Sequence, residues 1–254
     1  MERDTPIGSI IASTPKVRFE RRSHVPCNVL QKTGRMSKFT EQTTIQAIRY
    51  ENVMEDKKLT DVHGPIFKNI TRHISLSREE ENYCRTLLVY QEIPKKTTIL
   101  SEDQICNQLY YIHSGALRSY CLDKNGKEST IMFAMADWWL TDMYCFLNEK
   151  PSMTFIETIE DSCVLSITKP NFDHLFTAIP KFERFFRILL QNAYTREQLR
   201  TIENLTLNAE ERYSRFINKY PQIASKVTQK QIASYLGITP EFLSVIRKSY
   251  LQKK

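Results

Sequence analysis

Hydrophobic and polar residues follow different rhythms along this chain. Residues 1–53 have none: they are polar and basic, carry Pro6, Pro15 and Pro26, and hold no sustained period of 2 or 3.6, so they read as a tail with little fixed structure. From Met54 the pattern changes. Ile66, Phe67, Ile70 and Ile74 fall at helical spacing, and Ser77-Arg78-Glu79-Glu80 has the form of a capping box ahead of a second short helix. The abrupt change makes Met54 a candidate start, with residues 1–53 a dispensable arm or an overextended reading frame. Between about Gln91 and Lys169, short strands alternate with turns. Leu109–Ile112 runs into Ser114-Gly115, Ala116–Leu122 runs into Asp123-Lys124-Asn125-Gly126, and Glu128–Ala134 follows. Asn-Gly accepts positive φ at little steric cost and marks a hairpin. Thr154–Ile159 and Cys163–Ile167 add further strands around a polar turn. Strands this close, without long helices between them, predict an antiparallel barrel or jelly roll over 54–180 rather than a βαβ fold.

Beyond Pro180 the period is helical. Phe182, Phe185, Phe186, Leu189, Leu190 and Ala193 recur at intervals of three and four, continued by Leu199, Ile202 and Leu205, which predicts one long amphipathic helix over 181–206. Its first half holds more large apolar groups than contact with its own domain requires. Those residues are therefore expected to form a homodimer seam, the alternative being a helix packed wholly against the strands. Asn208–Arg212 opens a further helix with Tyr213, Phe216, Ile217 and Tyr220 on one face, and Pro221 ends it. The whole is an α+β chain: an antiparallel β-roll, a long helix, and a helical domain over 207–254.

Composition narrows the function. At 254 residues with 41% apolar and 26% charged side chains, the chain can bury two cores beneath a polar surface. The longest apolar run, Ile131–Ala136, is far short of the roughly 20 residues that cross a bilayer, and no signal-peptide core stands near Met1. A cytoplasmic location without membrane contact is expected. Net charge is +7, distributed as +4 over 1–53, −5 over 54–180 and +8 over 181–254. An acidic middle beside a basic end is the pattern of a chain whose C-terminal part meets a polyanion. The six cysteines lie 15 or more residues apart, and the five histidines form neither HxH nor HExxH, so no metal and no cofactor are expected. A nucleophile elbow and a glycine-rich phosphate loop are missing too, which argues against an enzyme.

The most specific segment is 227–248. Thr228 can cap a helix that buries Ile232, Ala233 and Leu236, and Ala233 is small where two helices must cross closely. Gly237 supplies a left-handed residue to end that helix, Ile238 plugs the turn, Thr239 caps the next helix and Pro240 suits its first position. Leu243 and Ile246 then face the core, while Glu241, Phe242, Ser244, Val245, Arg247 and Lys248 face outward. This is the pattern of a helix-turn-helix, whose second helix enters the major groove of double-stranded DNA.

Residues 75–250 resemble the Crp/Fnr superfamily of bacterial transcription regulators. The resemblance rests on Leu109–Gly115 with Arg118-Ser119-Tyr120, on Asp123–Glu128, on Ala209–Tyr213 and on the helix-turn-helix segment. It implies a cyclic-nucleotide-binding-like β-roll, a dimerisation helix and a winged-helix-type DNA-binding domain, with DNA, a second copy of the chain and RNA polymerase as partners. It also implies an effector pocket near Trp139, Thr141, Asp142, Ser152 and Thr154. Family members that bind cyclic AMP hold its phosphate with a Gly-Glu pair and an Arg-Ser or Arg-Thr pair. Here Thr141 and Asp142 stand at the first pair, and no arginine occurs between Arg118 and Arg184. A buried phosphate without a bidentate cation is poorly compensated, so no cyclic AMP binding is expected. Trp138, Trp139, Tyr144 and Phe146 would suit a more apolar ligand, or would simply fill the roll.

Relatives often carry arginine where Pro240 and Val245 stand. Base readout is therefore expected from Glu241, Ser244 and Arg247 and phosphate contact from Gln229, Lys230 and Lys248, with Thr228, Thr239, Phe242 and Val245 completing the expected DNA-binding set. The competing reading is a small-molecule sensor whose output is protein contact.

Overall fold

The computed structural model describes residues 61–252. The expected tail over 1–53 and the candidate start at Met54 lie outside the described residues. Helix α1 (Gly64–Thr71) buries Ile66, Phe67 and Ile70. Helix α2 (Arg78–Leu87) begins at the expected capping box: the Glu80 N–H donates to Ser77 Oγ at 3.2 Å and the Ser77 N–H donates to Glu80 Oε2 at 2.7 Å.

Eight strands then build two four-stranded antiparallel sheets. One sheet runs β1 (Val89–Ile93), β8 (Ser162–Thr168), β3 (Gln108–Ser114), β6 (Trp139–Leu140). The other runs β2 (Thr98–Leu100), β7 (Phe155–Thr158), β4 (Ala116–Leu122), β5 (Glu128–Met135). Gly115 turns β3 into β4 at φ +93°, where a Cβ would stand 2.7 Å from the Ser162 Cα, so only glycine fits. Leu109, Ile112, Leu117, Ile156, Val164 and Leu165 fill the space between the sheets with no exposed surface. This is the expected antiparallel roll. Helices α3 (Met143–Asn148) and α4 (Lys169–Ala178) close it.

Helix α5 (Lys181–Thr206) follows. The expected seam residues Phe182, Phe185 and Phe186 face the protein's own roll instead, at 2%, 0% and 5% exposure. Phe185 and Phe186 meet Trp139 ring to ring, Phe186 also meets Phe172 and Phe176, the closest centroids being Phe172 and Phe186 at 4.6 Å, and Phe182 packs on Phe185 and Phe186. Leu189 is half-buried against the same core, and Ala193 is partly covered. Stacking these rings removes large apolar areas from water within one chain, so no partner is needed to cover them. Of the six expected seam residues, Leu190 alone remains an exposed large apolar group, and Tyr194, Leu199, Ile202 and Leu205 continue the uncovered series.

Four helices end the described chain: α6 (Ala209–Lys219), α7 (Pro221–Lys226), α8 (Gln229–Leu236) and α9 (Pro240–Gln252). Here the winged-helix expectation is corrected: among the described residues, none after Thr168 is in a strand. Apolar positions over 207–252 recur at helical intervals with no alternating stretch to form a wing, and α8 packs instead against β5 of the roll. Tyr213, Phe216, Ile232, Leu236, Leu243 and Ile246 form a core that is continuous with Ala116, Phe133 and Ile159.

Candidate functional site

Local chemistry fixes the α8–α9 pair. The Gln231 N–H donates to Thr228 Oγ1 at 3.2 Å and the Thr228 N–H donates to Gln231 Oε1 at 2.9 Å, a second reciprocal cap. Gly237 ends α8 at φ +67°, and its N–H reaches the Ala233 and Ser234 carbonyls. The Phe242 N–H then donates to Thr239 Oγ1 at 3.2 Å to start α9. Leu243 and Ile246 are buried at 0% and 2% against Ile232, Ala233 and Leu236.

That anchoring decides which side chains of α9 face outward. Glu241, Phe242, Ser244, Val245 and Lys248 are exposed, and Arg247 is half-buried on the same helix. The hydroxyls have internal work: Thr228 and Thr239 cap helices, and Ser244 Oγ donates to the Pro240 carbonyl at 3.0 Å. Polar readout on α9 therefore falls to Glu241, Arg247 and Lys248, beside an apolar pair, Phe242 and Val245. Gln229 turns its Oε1 into an enclosed position without a hydrogen-bond partner. Lys230 is largely exposed, with its ammonium 3.7 Å from Glu128 Oε1.

The expected effector residues divide. Asp142, Ser152 and Thr154 are buried together. Asp142 Oδ1 accepts from the Cys145 N–H at 3.2 Å, capping α3, while Oδ2 accepts from Ser152 Oγ, Thr154 Oγ1 and the Met153 N–H at 3.2, 3.3 and 3.1 Å. The carboxylate thus occupies donors of the kind that would hold a phosphate. Thr141 Oγ1 donates to the Gln108 carbonyl at 2.8 Å and lies 3.3 Å from Cys106 Sγ. Trp139 is not part of this group. Its indole N–H donates to Asn69 Oδ1 at 3.1 Å and its ring lies against Tyr111, Phe185 and Phe186. The four aromatics read as a possible pocket also fail to converge: Trp138 meets Tyr220, Phe146 meets Phe172, and Tyr144 is 54% exposed. Aromatic rings at strand ends pack where the nearest apolar surface is, and here that surface is α4, α5 and α6.

Of three further polar groups, the first carries a motif named from the sequence and the other two escaped it. Arg118 is buried between Glu157 at 2.6 Å and Glu128 at 2.7 Å, with Tyr120 beneath its guanidinium. Burial opposes its charge, but the two carboxylates overcome this and raise its pKa above the ordinary value. Ser234 on α8 accepts from the Thr130 N–H at 2.8 Å and donates to the Glu128 carbonyl at 2.8 Å. Arg200 on α5 donates to the carbonyls of Thr130 at 3.1 Å and Tyr235 at 3.3 Å, and to that of Ile131. The Arg118-Ser119-Tyr120 stretch pointed to the first of these; no local pattern announces pairs some 70 to 100 residues apart.

The described chain is thus a roll of two antiparallel sheets joined to a long helix and a helical unit. The family model "Cyclic nucleotide-binding domain" matches residues 90–178. The chain is 27% identical over 164 residues to the anaerobic regulatory protein of Pasteurella multocida, covering 60% of this chain and 59% of that protein. It thus spans about three fifths of the length of such relatives, 59% to 63%. A transcriptional regulator of the Crp/Fnr family from Eubacterium rectale shares the fold at TM-score 0.59 and 18% identity, over 70% of this chain and 85% of that one. The c-di-GMP-responsive global regulator CLP of Xanthomonas campestris does so at 0.58 and 13%, over 70% and 93%. Together, the matched domain, the curated relatives and the structural neighbours support a regulator of the Crp/Fnr type. Among the described residues, no helix is long and apolar enough to cross a membrane.

Proposed function

We propose that this protein is a homodimeric, sequence-specific DNA-binding transcription regulator that acts without cyclic AMP. The outward face of α9 carries this reading. Buried Leu243 and Ile246 hold the helix on one side while Glu241, Phe242, Val245 and Lys248 stand clear on the other, the geometry of a recognition helix. Glu241 can accept from a cytosine amine, Arg247 can donate to a guanine edge, and Val245 or Phe242 can meet a thymine methyl group. Lys248 and Lys230 suit phosphates, in keeping with the basic C-terminal segment. The name of the Pasteurella multocida relative, a regulatory protein, supports a regulator rather than an enzyme. Two copies joined along the exposed side of α5 would set paired recognition helices about 34 Å apart, one turn of DNA.

A gel shift titrated with salt tests the reading: affinity falls steeply with salt and survives best on one sequence class. Arg247→Ala weakens binding to the selected sequence by about 1–3 kcal/mol and leaves random DNA less affected. Salt-insensitive or absent binding would favour the alternative suggested by the exposed Phe242 and Val245, protein contact as the output. Calorimetric titration with cyclic AMP yields no saturable heat, because Asp142 already satisfies Ser152, Thr154 and the Met153 N–H.

A further inference from the structure

Between the C-terminal half of α5 and α6 lies a small cleft of about 40 Å³. Arg196, Arg200, Arg212, Arg215 and Lys219 line it, with Glu203 the one carboxylate among its described lining residues. Their commitments differ. Arg200 is taken up by the Thr130, Ile131 and Tyr235 carbonyls, and Arg215 pairs with Glu203 at 2.7 Å. Arg196 lies over the Trp138 ring at 5.0 Å and reaches Glu197 outside the cleft at 3.8 Å. Arg212 donates through Nη1 to Asn204 Oδ1 at 3.2 Å, yet its Nε–H is buried with no hydrogen-bond partner.

A guanidinium N–H taken out of water without an acceptor is costly, and native proteins rarely leave one so. Five cations against one carboxylate also leave the cleft with an excess of positive charge, which an anion entering it would offset. We propose that the cleft binds a phosphate group, as inorganic phosphate or as the phosphate of a small metabolite. Size and donor geometry select it. A water needs roughly 10–15 Å³ of such space, so the cleft holds about three waters or one tetrahedral oxyanion. Donors approach from both helices, with Arg196 on α5 and Arg212 and Lys219 on α6, which suits the several acceptor oxygens of a phosphate better than the two of a carboxylate. Such a ligand bridges the long helix to the helical unit.

Calorimetric titration of the full chain with inorganic phosphate, in chloride buffer of matched ionic strength, tests this. The expected result is saturable binding of one anion per chain, weakened about tenfold by Arg212→Gln, which removes a charge-assisted donor. Lys219→Gln alters an exposed residue and keeps the fold, as a thermal melt verifies; it weakens binding by a smaller factor. Heats that never saturate, or affinities unchanged in both variants, overturn the proposal. Short duplex DNA of random sequence, added to the phosphate-loaded protein, separates the sources of phosphate. Displacement of the anion assigns the cleft to the DNA backbone and overturns a small-molecule occupant; DNA that binds elsewhere, or not at all, supports one. The test does not depend on sequence-specific DNA recognition.

Discussion

Asp142 is a buried carboxylate with two roles: it caps α3 and gathers Ser152, Thr154 and the Met153 N–H around one oxygen. Asp142→Ala takes this acceptor from the Met153 N–H and Thr154 Oγ1 and uncaps α3, while Ser152 Oγ keeps the Thr154 carbonyl at 2.9 Å, so it should cost about 2–3 kcal/mol, read as a lower urea midpoint with an unchanged slope. Two other carboxylates carry pH dependence. For Glu128, burial pushes its pKa up, but Arg118 and Lys230 draw it down to a net value below the ordinary one. For Asp137 the balance is the same, with Arg72, Asn69 and Tyr111 overcoming burial. A carboxyl whose folded pKa lies below its unfolded pKa stabilises fully above the unfolded value, about 4, and loses that contribution as pH falls through the folded value. The thermal midpoint should therefore hold steady from neutral pH to about 5 and drop below about 4. Glu128→Gln should be less stable at neutral pH and show a shallower acid slope; an acid slope equal to that of the unaltered protein would remove Glu128 from this account.

Helix α5 shows at the scale of an element why a hydrophobic series is not yet a surface. Its apolar residues read as one stripe, but Phe182, Phe185 and Phe186 are spent on the roll and Leu190, Tyr194, Ile202 and Leu205 are left uncovered. In the proposed dimer, the contact should follow the second set. Leu190→Glu and Ile202→Glu are expected to move the protein toward monomer in sedimentation velocity at constant melting temperature, whereas Phe185→Ala should cost about 3–5 kcal/mol of stability by opening a cavity. What could be read from the chain follows the same division between local and distant causes. Strand β4 and the caps of α2 and α8 were readable because Gly115, the Asn125-Gly126 turn and each cap act within a few residues. The covered side of α5 depends on Trp139, Phe172 and Phe176, which no spacing within α5 reveals. The outward face of α9 was readable because Leu243 and Ile246 mark its inward face at helical spacing. The filling of the effector region was not, because Asp142 meets Ser152 and Thr154 only once the chain has folded back.

For the whole molecule, the decisive contact is the seat of the helical unit on β5. Phe133 lies 6.1 Å from the Phe216 ring and 5.4 Å from the Tyr235 ring, so a strand of the roll completes the helical core. Around it, Ser234 joins Thr130 and Glu128, Lys226 pairs with Glu160, and Arg200 ties α5 to both sides. A core shared in this way makes the roll and the helices unfold together, because the helices cannot part from β5 without exposing Phe133, Phe216 and Tyr235 to water. Differential scanning calorimetry should show one transition whose calorimetric and van't Hoff enthalpies agree for these residues. Phe133→Ala should split that transition in two, with the helical unit melting first and α9 losing its fixed orientation relative to the roll. Ser234→Val, which leaves the Thr130 N–H and the Glu128 carbonyl unpaired without emptying the core, should lower the single transition by about 1–3 kcal/mol and keep it single. Two transitions in the unaltered protein would show that the shared core contributes too little to couple them.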